Sequence, residues 1–85
     1  MEAVMVRYYF DLIDSDGMIV DDEGVELNSL ARAQEEAAKS LAEMAREAVG
    51  KLKGDSPQEM SIEVRDHSGP VLQIRFTFAV ARLRA

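Results

Sequence analysis

Hydrophobic and polar residues alternate near both ends of the chain. From Val71 to Val80 every even-numbered residue is apolar, namely Leu72, Ile74, Phe76, Phe78 and Val80. A matching pattern opens the sequence, at Val4, Val6, Tyr8, Phe10 and Leu12. Because successive side chains of a strand point to opposite faces of a sheet, both stretches predict β-strands with one buried face.

The middle of the chain has helical spacing instead. Its apolar residues recur every three, four or seven positions, at Leu30, Ala33, Ala37, Leu41, Met44, Ala45 and Ala48. This pattern predicts an amphipathic helix that is capped by Asn28 or Ser29 and runs to about Val49. Alanine is frequent on the apolar side, so the helix can approach a sheet closely.

Turn-forming residues predict a hairpin on either side of the helix. The first strand turns at residues 14–17 into a second strand, which residues 21–24 interrupt before Val25. That second strand is therefore either short or distorted by a kink or bulge at Gly24. A third strand from Met60 turns at residues 66–70 into the last one.

Together these elements predict a single α+β domain, residues 1–85, with the order ββαββ. We expect a four-stranded, mostly antiparallel sheet with one helix packed on one face. The residues predicted to face the core are Val6, Tyr8, Phe10, Leu12, Ile19, Leu30, Ala37, Leu41, Met44, Ala48, Ile62, Val64, Leu72, Ile74, Phe76 and Phe78.

The composition of the chain argues against several classes of function. The chain has 85 residues, a net charge of -6 and no cysteine, which excludes disulfides and thiolate metal sites. Residues 11–36 hold nine acids against one arginine, Arg32, which argues against nucleic-acid binding. The start of the sequence is unlike a signal peptide and no apolar run could span a membrane, so we expect a cytoplasmic protein.

No arrangement of residues predicts catalysis, a cofactor or a metal. The single histidine, His67, is predicted to lie in an exposed turn beside Asp66 and Ser68, where a catalytic triad seldom converges. Five acids could gather around a cation: Asp14, Asp16, Asp21, Asp22 and Glu23. Their spacing does not fit that of a helix-loop-helix calcium site, so hairpin turns and solubility are the favoured explanation.

The sheet face opposite the helix is the candidate interaction surface. Alternation places seven residues of mixed polarity there: Met5, Arg7, Tyr9, Asp11, Gln73, Arg75 and Thr77. Tyrosine, arginine and methionine are common in interfaces, so we expect self-association through this face or through an unpaired edge strand. Asp11 is expected to form an exposed cross-strand ion pair with Arg7 or Arg75.

Two resemblances bear on function. The segments Arg7–Leu12, Asp16–Gly17 and Asp22–Leu27, with Ile62–Asp66 and Gly69–Leu72, resemble a family of small bacterial proteins known only as a domain of unknown function. The order of elements is also similar to that of the antitoxin half of some bacterial toxin–antitoxin pairs. That likeness implies a protein partner, for which the acidic surface favours a basic one.

The leading hypothesis is therefore a small, non-enzymatic protein-interaction domain that self-associates, forming a homodimer or larger homo-oligomer. The alternatives are an antitoxin-like module that binds a basic protein and a small-molecule binder. Nucleic-acid binding through the arginine-bearing last strand would conflict with the overall acidity.

Overall fold

A computed structural model describes residues 4–51 and 57–84. It contains five strands and one helix among these residues: β1 (Val6–Asp14), β2 (Gly17–Ile19), β3 (Val25–Leu27), α1 (Leu30–Gly50), β4 (Gln58–Asp66) and β5 (Gly69–Phe78). The α+β class and the ββαββ order are confirmed, with the predicted second strand divided into β2 and β3. The sequence also predicts that Gly50 and Gly54 mark the end of the helix; α1 ends at Gly50, and Gly54 lies outside the described residues.

All strand pairs are antiparallel. The sheet has the order β2-β1-β4-β5, and β3 also pairs with β1. In the observed register, Phe10 lies opposite Val64, which in turn lies opposite Leu72. The apolar faces of three strands therefore coincide on one side of the sheet.

Helix α1 covers that apolar face. It begins after Ser29, whose hydroxyl accepts the Arg32 backbone N–H at 3.1 Å, as expected of an N-cap. Ala33 and Ala37 are fully buried, so the helix lies close to the sheet. It packs mainly on β4 and β5, with a smaller contact to β3.

Most residues predicted to face the core lie in it or pack against it, but the half-buried Phe78 lies outside the core cluster, and Leu27 and Met60 are core residues that the prediction omits. The buried core residues are Tyr8, Leu27, Ala33, Ala37, Leu41, Ala45, Met60, Ile62 and Val64. The predictions for Ile19 and Leu30 are wrong, since these residues are 68% and 44% exposed. Ile19 lies on a three-residue strand beyond the area that α1 covers, and Leu30 begins the helix one turn before its first buried residue, Ala33.

No helix in the described ranges, 4–51 and 57–84, is both long and apolar enough to cross a lipid bilayer.

Candidate functional site

A gap in strand pairing defines the most unusual part of the molecule. β3 pairs with the start of β1 and β2 with its end, so residues 9–11 lie beside the connecting loop, residues 20–24. The Asp21 carboxylate accepts the Phe10 backbone N–H at 3.1 Å. A side-chain oxygen thus replaces the carbonyl that a neighbouring strand would supply.

Asp11 holds the same loop from the other side. Its carboxylate accepts the Asp21 backbone N–H at 2.9 Å and the Arg65 Nε–H at 2.8 Å. Arg65 also donates to the Asp21 carbonyl at 2.7 Å. Asp11, Asp21 and Arg65 therefore form one hydrogen-bonded network, the Asp11–Asp21–Arg65 network, which joins β1, β4 and the loop.

The expected environment of Asp11 is corrected by this network. Asp11 is only 5% exposed, and its ionic partner is Arg65, with Arg7 and Arg75 engaged elsewhere. Register explains the choice, because Arg65 lies opposite Tyr9 and is diagonal to Asp11 across the β1–β4 pair. The guanidinium also stacks 4.5 Å from the centre of the Tyr9 ring.

The end of the loop requires a glycine. Gly24 has φ +71°, and a Cβ there would lie 2.9 Å from both the Arg7 Cγ and the Tyr8 carbonyl oxygen. A side chain is excluded by backbone conformation and by the close approach of β1. The loop is thus fixed at Asp21 by polar groups and at Gly24 by shape.

Asp21 is held in its charged form. Burial alone would raise the pKa of its carboxyl, but the backbone N–H groups of Gly24, Phe10 and Glu23 and the charge of Arg65 outweigh it. The pKa of Asp21 therefore lies below its ordinary value.

The fixed loop forms one wall of a groove on the helix side of the sheet. The opposite wall is α1, and the main depression has a volume of about 880 Å³. A second depression adjoins it towards the β1–β2 turn and shares Leu12, Ile19, Met44 and Glu47 with the first. We call the combined depression the α1–β2 groove; its apolar lining includes Phe10, Leu12, Ile19, Val20, Met44 and Met60.

The rim of the α1–β2 groove is predominantly acidic. Its acids are Asp14, Asp16, Asp21, Asp22, Glu23, Glu43 and Glu47, while its bases are Arg46 and Lys51. The groove therefore combines apolar side chains with a negative potential, the combination that favours a partner with apolar and positively charged groups.

The predicted outer-face residues lie on or beside two strands, β1 and β5, that are not neighbours in the sheet. β4 separates Arg7, Tyr9 and Asp11 on β1 from the three residues of β5. Several are already paired: Arg7 donates to the Glu23 carbonyl at 2.7 Å, and Arg75 lies 3.4 Å from Glu59.

Of the other five, Asp11 belongs to the network described above, and Gln73 accepts a hydrogen bond from Arg75 at 3.4 Å. Tyr9 lies under Arg65, and Gln73 donates to Ser61 at 3.4 Å. Met5 is exposed just before β1, and Thr77 is exposed on β5. An interface on this face stays a prediction. Asp11 is buried, so in such an interface it would support the sheet and would not contact the partner.

The acids considered for a cation are divided between two loops. The Asp14 carboxylate accepts the Asp16 N–H at 2.8 Å, whereas Asp21 accepts three backbone N–H groups. Within residues 4–51 and 57–84, no three His, Asp or Glu side chains are placed to share a metal. His67 lies exposed in the β4–β5 turn.

Sequence reasoning missed Arg65 and Asp21 as partners of Asp11, and it missed the groove. A local signal existed only for the loop, where acids and Gly24 interrupt the alternation. The contact of Arg65 with Asp11 spans 54 positions and depends on the β1–β4 register, which alternation alone does not give.

The structure is that of a small α+β domain with an apolar groove whose rim is predominantly acidic. A family model described as "Domain of unknown function (DUF6894)" matches residues 7–77, and the chain belongs to that family. No curated protein and no solved structure has a significant match to the chain.

Proposed function

We propose that the domain is a protein-interaction module and that its α1–β2 groove binds a polypeptide segment with apolar and basic side chains. One observation carries this proposal: apolar side chains lie exposed beneath an acidic rim. Ile19 and Val20 are 68% and 58% exposed and lie side by side in the groove wall.

Apolar burial would supply the binding energy. Covering a largely exposed isoleucine contributes roughly 1.5–3 kcal/mol, before the cost of ordering the partner.

The rim would select the partner. Glu43 and Glu47 lie on successive turns of α1, four residues apart, and no ion pair to either is seen within residues 4–51 and 57–84. Two neighbouring carboxylates without basic partners attract a cation and repel an anion, which accelerates encounter with a basic segment.

An antitoxin-like role is one form of this function, since it also requires a basic protein partner. A small apolar molecule is the alternative occupant, because the main depression falls in the volume range of ligand pockets. The charged rim favours a polypeptide, whose arginine or lysine side chains can reach it while apolar side chains fill the groove.

Titration with designed peptides tests the proposal. A ten-residue peptide of alternating leucine and lysine is added to the ¹⁵N-labelled protein, with a leucine–glutamate peptide as its control. We expect only the lysine peptide to bind, with amide shifts at residues 19–23 and 40–47. Equal binding of both peptides, or shifts confined to the outer sheet face, would contradict the proposal.

Matched variants test which side chains contribute to the free energy of binding. Ile19→Ser should raise the Kd about tenfold, whereas Met18→Ser on the same strand should change it less than twofold. Met18 is also exposed, but it pairs with Ile13 and so lies on the other face. For the rim, Glu43→Gln with Glu47→Gln is compared with Glu26→Gln and Glu59→Gln, which remove the same charge elsewhere.

A further inference from the structure

We infer that the occupant of the α1–β2 groove is residues 79–84 of a second copy of this chain, and that two copies exchange these segments reciprocally. The inference rests on the proposed function and adds the identity of the partner. We call residues 79–84 the arm.

The arm has the chemistry that the groove selects. It contains the apolar side chains Val80 and Leu83, which are 44% and 93% exposed. It also carries Arg82 and Arg84 and no acidic residue. Exposed apolar side chains interleaved with positive charge complement an apolar groove with an acidic rim.

The arm continues beyond the secondary structure. Its residues lie in neither a strand nor the helix, and all six are exposed. Leu83, near the end of the arm, is left uncovered.

The position of the arm permits reciprocal exchange. β5 ends opposite Gln58, and Gln58 lines the part of the groove nearest the β1–β2 turn. The arm therefore leaves the sheet at the same end at which this part of the groove lies. Two copies placed end to end about a twofold axis can each insert an arm of about 20 Å into the other, which closes the assembly as a dimer.

Sedimentation velocity on the whole chain, from 5 μM to 1 mM, tests this inference. We expect a monomer–dimer equilibrium that weakens as salt increases, because the arm and rim carry opposite charges. Leu83→Ser and Ile19→Ser should each raise the dimer Kd at least tenfold. Met18→Ser should change it less than twofold.

Mixing the two disruptive variants gives the distinguishing result. The Leu83→Ser chain keeps an intact groove and the Ile19→Ser chain keeps an intact arm, so the mixture regains one complete contact. We expect the heterodimer to form more tightly than either homodimer. Failure of the mixture to associate better than its components would overturn the exchange.

Other outcomes also decide the question. A wild-type monomer at 1 mM, or a dimer that survives Leu83→Ser but not Thr77→Pro in the edge strand β5, would overturn the inference. So would contact between Leu83 and Ile19 within a monomer. The lysine peptide is tested separately on Leu83→Ser: binding there, together with a monomeric wild type, leaves the proposed function intact and removes only the second copy.

Discussion

The two hairpins of this domain are built on different principles. β4 and β5 pair along their whole length, from Gln58–Phe78 to Asp66–Gly69, with one irregularity at Val64 and Arg65. β1 has two short partners, β2 and β3, separated by a five-residue loop. The β4–β5 hairpin is held by a continuous ladder and an apolar face, whereas the hairpin of β1 with β2 and β3 is held by a polar network at the break in its ladder.

The difference shows how a small domain can expose a groove without losing its fold. α1 lies over the continuous hairpin and leaves the β2 side of the sheet less covered. There Asp11, Asp21 and Arg65 supply the connections that helix packing does not. Their network fixes the loop, and the fixed loop makes the wall of the α1–β2 groove.

The largest effect is expected in the continuous hairpin. Ile62 is fully buried between β1, β5 and α1. Ile62→Ala should lower the free energy of unfolding by about 2–5 kcal/mol, because it removes apolar contacts and leaves a cavity. Denaturant unfolding followed by circular dichroism measures the loss, with the exposed Val71→Ala on β5 as a control that should change stability by less than about 0.5 kcal/mol.

A smaller and more local effect is expected in the interrupted hairpin. Asp11→Ala removes the acceptor of the Asp21 N–H and of Arg65, at a cost of about 1.5–3 kcal/mol for the charged hydrogen bonds. Hydrogen exchange should accelerate most in residues 17–27. Ile62→Ala, by contrast, should accelerate exchange throughout the sheet.

Asp16→Ala is the matched control for that comparison. It removes an acid from the adjacent turn whose side chain has no hydrogen bond or ion pair within residues 4–51 and 57–84. Uniform acceleration in Asp11→Ala would mean that the loop and the continuous hairpin unfold as one unit.

The same contrast explains what the sequence could predict. The alternation at Leu72–Phe78 and the helical spacing from Ala33 to Ala45 are patterns among residues close together in the sequence. Both the strand and the helix that they predict are confirmed. The prediction that Ile19 is buried is wrong because alternation gives the face of the sheet on which a side chain lies but not whether α1 covers it. Polar groups in the loop look like ordinary turn residues until β1–β4 pairing brings Arg65 to them.

The smallest effect concerns the charge of Asp21. Asp21→Asn keeps an oxygen for the Glu23 and Gly24 N–H groups but can present an amide donor to Phe10 N–H, so it should cost roughly 0.5–1.5 kcal/mol at pH 7. The folded pKa of Asp21 lies below its unfolded value, so its charge stabilises the fold above about pH 4. That contribution is lost as the pH falls through the folded pKa.

The stability difference between wild type and Asp21→Asn should therefore shrink as the pH is lowered from 5 towards 2, which urea unfolding at a series of pH values measures. The exposed Asp22→Asn should show no comparable change, since that carboxyl makes no hydrogen bond within residues 4–51 and 57–84. A difference that stays constant with pH would show that the charge of Asp21 does not hold the loop. The interruption would then depend on Gly24 and Asp11 alone, and the α1–β2 groove would keep its wall in acid.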